Sequence, residues 1–116
     1  VLPRDLPDDS LIGVLQGAEA LVQFSRYEGF GMPALEALAC GSRGVASDLD
    51  KHVEVLGGAA LAVPLRVEAL ARALERVTSD RSLAAELSAR GPERAREFTW
   101  DRCARLHLEL YRAAAR

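Results

Sequence analysis

Two carboxylates and two glycines crowd into the stretch Ser25–Arg26–Tyr27–Glu28–Gly29–Phe30–Gly31–Met32–Pro33–Ala34–Leu35–Glu36. Ionised carboxylates only accept hydrogen bonds, and their two oxygens can take two hydroxyls at once. Gly29 and Gly31 flank Phe30 and let a ligand approach the backbone closely. Pro33 suits the start of a helix, where its missing N–H costs nothing. The unpaired N–H groups of such a helix start carry partial positive charge and form an anion site. Residue chemistry alone leaves plainer readings open. Glu36, expected in the first helical turn, complements the macrodipole. Glu28 is a solvated loop carboxylate, and the glycines make an ordinary tight turn.

Stepping outward along the chain, Ala20–Phe24 is a short apolar run of strand formers, and Pro33 to Cys40 reads as a helix stopped by Gly41. The order is strand, glycine turn, helix. Upstream, Val1–Leu2–Pro3 reads as the stub of a strand. Asp8, Asp9 or Ser10 caps a helix running to about Ala18. Downstream, Gly44–Ser47 is a second strand, Asp48–His52 a polar loop and Val53–Leu56 a helical turn. Gly57–Gly58 breaks the chain before a third strand at Ala59–Val63. The remainder is helical. Val67, Leu70, Ala71, Leu74 and Val77 recur at helical spacing. Ser79 or Asp80 caps the next helix, which Gly91–Pro92 is expected to interrupt. Pro92 restarts a helical piece burying Ala95 and Phe98. Thr99 caps a last helix, with Trp100, Ala104, His107, Leu108 and Tyr111 roughly on one side. The fold class is α/β: a partial Rossmann-like domain of about three short parallel strands with helices and a helical C-terminal third.

The chain has 116 residues and a net charge of −2, which argues against a broad basic footprint for nucleic acid. Lys51 is the only lysine, and arginines alternating with Glu read as solvated helix faces. No apolar run approaches a membrane span. Cys40 and Cys103 lack metal-ligand spacing and read as buried free thiols, so a cytoplasmic protein is expected. A start at Val1 rather than Met suggests a piece of something longer.

The central stretch also resembles a known family. Glu28 and Glu36, with seven residues between them and Gly29–Phe30–Gly31–Met32–Pro33 inside, look like the Glu-x7-Glu motif of family 4 retaining glycosyltransferases, which have the GT-B fold of two Rossmann-like domains. Ala37–Gly41, Val45–Asp48, Glu54–Val55, Gly57–Ala60 and Phe98–Thr99–Trp100 follow in the family's order. The resemblance implies that residues 1–116 are the second half of the C-terminal, donor-binding domain, without the N-terminal acceptor domain. It implies a metal-independent transfer with no cofactor, the nucleotide-sugar donor being a substrate. By the same likeness, Glu36 takes the ribose diol and Glu28 lies near the transferred sugar as the catalytic carboxylate. Gly29, Phe30 and Gly31 offer N–H groups to sugar hydroxyls or phosphate, Met32–Pro33 opens the helix facing the pyrophosphate, and Ser25 adds a hydroxyl.

Some positions depart from the family pattern. Phe24 stands where a proline usually precedes the serine, and Ser42–Arg43–Gly44 replaces Thr/Ser-Pro-Val. The family's basic pair lies upstream, leaving Arg26, Arg43 and Lys51 as the nearby cations. His52 is not expected to be a catalytic base, Glu54 is read as structural, and His107 as a packing residue. Two other classes stay open: a non-catalytic module that binds a partner, or itself, through an open sheet edge, and a generic nucleotide-binding piece. In the doubly wound order the Ala20–Phe24 strand neighbours an earlier strand absent here, so its edge is expected to be open.

Overall fold

The structure, a computed structural model, describes residues 5–116. The strand stub expected at Val1–Leu2–Pro3 lies outside the described residues. The elements are α1 (Asp8–Gly17), β1 (Leu21–Gln23), α2 (Met32–Ala39), β2 (Gly44–Ser47), α3 (Asp50–Leu56), β3 (Leu61–Val63), α4 (Val67–Ser79), α5 (Arg81–Ala95) and α6 (Trp100–Ala114). The strands form one parallel sheet in the order β1-β2-β3, with Val22 opposite Val45 and Ala46 opposite Ala62.

β2 is buried along its whole length. Alternate strand residues point to opposite faces, so Val45 and Ala46 enter different cores. Ala46 packs with Ala34 and Leu38 of α2, Leu56 of α3, and Ala59 and Ala60. Val45 packs with Ala73 and Val77 of α4 and Leu87 of α5. Helices therefore cover both faces, as a parallel sheet requires.

Several expected boundaries move, each for a local reason. The first strand keeps only its three central residues, Leu21–Gln23, and the third only its last three, Leu61–Val63. The polar loop after β2 shrinks to Asp48–Leu49. Asp50, Lys51 and His52 already belong to α3, where Asp50 complements the N-terminal end of the helix. Pro7, not Asp8, Asp9 or Ser10, occupies the N-cap of α1. Asp80 does cap α5, its side chain accepting from Leu83 N–H at 3.0 Å, and Thr99 caps α6 through Arg102 N–H at 3.1 Å.

The expected break at Gly91–Pro92 does not occur, and α5 runs through Pro92. The pre-proline clash involves the Cβ of the preceding residue, which Gly91 lacks. The absent side chain also lets α5 lie directly on α2: a Cβ at Gly91 would sit 2.8 Å from Leu38 O and 3.3 Å from Leu38 Cα. Helix packing holds Pro92 inside a helix that local preference would end.

Gly91→Ala sets two effects against each other. Alanine favours a helix by about 1 kcal/mol, whereas pushing α2 and α5 apart costs about 1–3 kcal/mol. The obstacle is backbone and cannot rotate away, so urea unfolding is expected to show a net loss of stability. A gain would mean that α5 can slide on α2.

Candidate donor site at the carboxyl ends of β1 and β2

Ligands of open α/β sheets bind beyond the carboxyl ends of the strands. Here those ends are Gln23 and Ser47, and each hydrogen-bonds the loop between β1 and α2. Gln23 is buried, and its Oε1 accepts from Ala34 N–H at 2.9 Å. It supplies the side-chain cap that the N-cap residue, Gly31, cannot. Ser47 is fully buried. Its hydroxyl donates to Ser25 O at 2.6 Å and accepts from Ser25 N–H at 3.2 Å. The Ser25 hydroxyl in turn donates to Glu28 Oε1 at 2.6 Å. That bond foremost, and the Gln23 amide second, hold the Glu28 carboxyl below its ordinary pKa against a weaker opposing effect of burial.

Gly31 has φ +89°, a region that suits glycine. A side chain there would also begin 3.3–3.5 Å from His52 and from the Gln23 amide nitrogen. Among the described residues, the N–H groups of Gly29, Phe30, Gly31 and Met32 have no acceptor in the protein. Four free donors thus lie at the N-terminal end of α2, beside the ionised Glu28.

Glu36 lies in the second turn of α2, not the first as expected. Macrodipole effects fade within the first turn, so that plain reading loses its basis. Its neighbours Leu35 and Ala37 are buried while Glu36 is exposed, and it has no ion-pair partner among the described residues. Of the other expected site residues, Ser25 is half-buried, and Phe30, Met32 and Pro33 are exposed along the loop and helix start.

Of the candidate cations, Arg43 is directed elsewhere. It precedes β2 at the opposite end of the sheet and binds Glu19 at 3.1 Å and Val77 O at 3.4 Å. Lys51 pairs with Glu54 at 3.5 Å on the exposed side of α3. No group of three or more His, Cys, Asp or Glu residues among those described could hold a metal ion.

Gln23 and Ser47 are site residues not expected from the sequence, and His52 is not in the polar loop expected to hold it. The only signal for the first two was a polar residue at the end of each apolar strand. His52 is instead 1% exposed on α3. Its Nδ1 lies 2.8 Å from Ser47 O and donates to it, since a carbonyl only accepts. Its buried Nε2 has no protein partner and faces Gly31.

The family described as glycosyl transferases group 1 matches residues 2–94. The chain belongs to that family. It is 35% identical over 108 residues to O-antigen chain mannosyltransferase B of Escherichia coli, covering 92% of this chain and 28% of that protein. It is 36% identical over 117 residues to D-inositol 3-phosphate glycosyltransferase of Rhodococcus erythropolis, covering 98% of this chain and 26% of that protein. Sucrose-phosphate synthase from Thermosynechococcus elongatus superposes with a TM-score of 0.65 at 34% identity, over 80% of this chain and 25% of that one. The chain therefore spans about a quarter of the length of each of these three proteins. The three-stranded α/β unit is a partial Rossmann-like fragment of the GT-B type. No helix among the described residues is long and apolar enough to cross a membrane.

Glu28 is expected to remain ionised below the usual carboxylate range, and Ser25→Ala to move its pKa upward. Carboxyl-carbon NMR titration reads both. A folded-state pKa below the unfolded value stabilises the protein above the unfolded pKa, and the gain is lost as pH falls through the folded pKa. The stability difference between wild type and Ser25→Ala should therefore shrink in acid.

Proposed function

We propose that this chain is the C-terminal part of a GT-B donor-binding domain and holds the nucleotide-sugar of a retaining, metal-independent glycosyl transfer. The observation that carries this reading is the cluster of four free N–H groups at the start of α2, beside Glu28 and one helical turn from an exposed Glu36, in a chain of this family. The N–H groups of Gly29, Phe30, Gly31 and Met32 meet the diphosphate or sugar hydroxyls. Pro33 starts α2 without adding a donor, and Ser25 orients Glu28. Glu36 takes both ribose hydroxyls. In the transfer, the bond from the anomeric carbon to phosphate oxygen breaks and one to an acceptor hydroxyl forms. The nucleoside diphosphate leaves with the bonding electron pair, and the acceptor proton is released. Positive charge develops on the sugar as the first bond breaks, and the ionised Glu28 stabilises it.

The acceptor side and the basic groups that complete the diphosphate site belong, on this reading, to the part of the enzyme outside this chain. Because several relatives, O-antigen chain mannosyltransferase B among them, are named mannosyltransferases, nucleotide-activated mannose is the first donor to test. A cytoplasmic location goes with the reading, supported by the free thiols of Cys40 and Cys103.

The two glutamates separate in kinetics of the full-length gene product. Glu36 holds the nucleotide equally in ground and transition states, so Glu36→Gln should weaken donor binding by roughly 10- to 100-fold with turnover little changed. Glu28 acts where charge develops, so Glu28→Gln should mainly lower kcat. Unchanged donor affinity in Glu36→Gln would remove the ribose assignment. A Glu28→Gln variant that only bound donor more weakly would make Glu28 a sugar-hydroxyl ligand.

One observation favours a second reading, a non-catalytic module acting through its sheet. Among the described residues β1 is an edge strand, and Val22 at its centre is exposed. An unpaired apolar edge invites another strand. On that reading the isolated chain self-associates with rising concentration in sedimentation velocity, and substituting Val22→Lys reduces the association. Clean monomer behaviour across a wide concentration range would count against it.

A further inference from the structure

The Phe98–Thr99–Trp100 segment has no part in the site as described, yet it reaches the site through Phe30. The Phe30 and Phe98 rings meet edge to face, with centroids 5.7 Å apart and planes at 77°. Behind Phe98, the Arg94 guanidinium carbon lies 4.8 Å from its ring centroid. Arg94 is itself fixed: Nε donates to Val55 O at 3.0 Å, one terminal nitrogen donates to Glu54 O, and the other binds Glu97 at 2.6 Å. Val55 and Glu54 lie in the last turn of α3, whose free carbonyls attract a cation. Phe98 is thus anchored by its own chain and by α3.

We propose that Phe98 is a positioning residue for the donor loop, acting through Phe30 to order the backbone of Gly29–Phe30–Gly31. The loop is anchored at both ends but less so between them. Ser47 holds its start at Ser25, and Gln23 holds the beginning of α2 at Ala34. Gly29 and Gly31 on either side of Phe30 are intrinsically the freest residues of the stretch. Their N–H groups have no acceptor in the protein, and of the backbone groups of Gly29–Phe30–Gly31 only the Gly31 carbonyl is bonded, accepting from Ala34 and Leu35 N–H. Beyond the Ser25–Glu28 bond, the Phe30 ring is the side chain placed to order this part, and its aromatic neighbour is Phe98. An edge-to-face pair favours the ordered arrangement by roughly two- to tenfold. Phe98 is also the second residue before α6, so the turn that launches the last helix bears directly on the loop. The consequence for donor affinity rests on the function proposed above, whereas the ordering of the loop does not.

The test has two arms. In the first, nitrogen-15 relaxation of this chain gives backbone order parameters for Gly29, Phe30 and Gly31. They should fall in Phe98→Ala, fall less in Phe98→Leu and recover in Phe98→Tyr, while those of Gln23 and Ser25 stay as in wild type. Phe98→Leu keeps apolar bulk and serves if the alanine variant fails to fold. In the second arm, affinity for nucleotide-activated mannose is measured in the full-length gene product carrying Phe30→Ala, Phe98→Ala or both. If Phe98 acts through Phe30, the double variant loses no more affinity than Phe30→Ala alone, whereas general destabilisation would leave separate losses that multiply. Unchanged order at Gly29 and Gly31 in the Phe98 variants, or multiplying losses, would overturn the proposal. A wild-type full-length gene product that binds no nucleotide-sugar would count against the function instead, and the relaxation arm alone would then decide the role of Phe98.

Discussion

The fully buried hydroxyl of Ser47 is the contact on which the site depends. A buried hydroxyl needs partners, and this one finds both in one residue, donating to Ser25 O and accepting from Ser25 N–H. The loop after β1 is thereby tied to the end of β2. Ser25 then has one free group, its side-chain hydroxyl, and spends it on Glu28. The backbone carbonyl of Ser47 also accepts from His52 Nδ1, which draws α3 into the same arrangement. One residue at the end of the central strand thus holds a loop, orients a carboxylate and places a buried imidazole.

The N-terminal end of α2 is organised from a distance in the same manner. Gly31 cannot cap the helix with a side chain, so Gln23 does so from the end of β1 and leaves the N–H groups before Ala34 free. Small residues bring the layers close enough for this. Ala34, Ala46, Ala59 and Ala60 fill one core, and Gly91 lets α5 rest on the backbone of α2. Larger side chains would move α2 away from the strand ends and separate Ala34 from Gln23.

The periphery is less settled within this chain. Among the described residues β1 has β2 on one side and no strand on the other, and no residue of α6 is buried although Trp100, Leu108 and Tyr111 share one side of it. Both features fit a chain that spans 28% and 26% of the two relatives compared above. Phe98 connects that periphery to the site, since it adjoins α6 and touches Phe30.

The sequence by itself determined the order of strands and helices, because apolar periodicity and Gly, Pro and Asp punctuation act locally. It determined the placement of Ser25, Glu28 and Gly29–Pro33 on one strand–turn–helix unit, and the family match through its motif series. Two local rules failed where distant residues supplied the deciding energy: Gly91–Pro92 did not break α5, because Gly91 packs on Leu38, and His52 left the loop for a buried place under Ser47. Only the tertiary structure decided that Gln23 caps α2, that Ser47 pins Ser25, that Glu36 faces solvent beyond the reach of the macrodipole, and that Phe98 meets Phe30. Those contacts join residues far apart in the chain, and nothing in the spacing of either partner encodes the other. They exist because the parallel sheet brings its strand ends, helix starts and the α5–α6 turn to one edge.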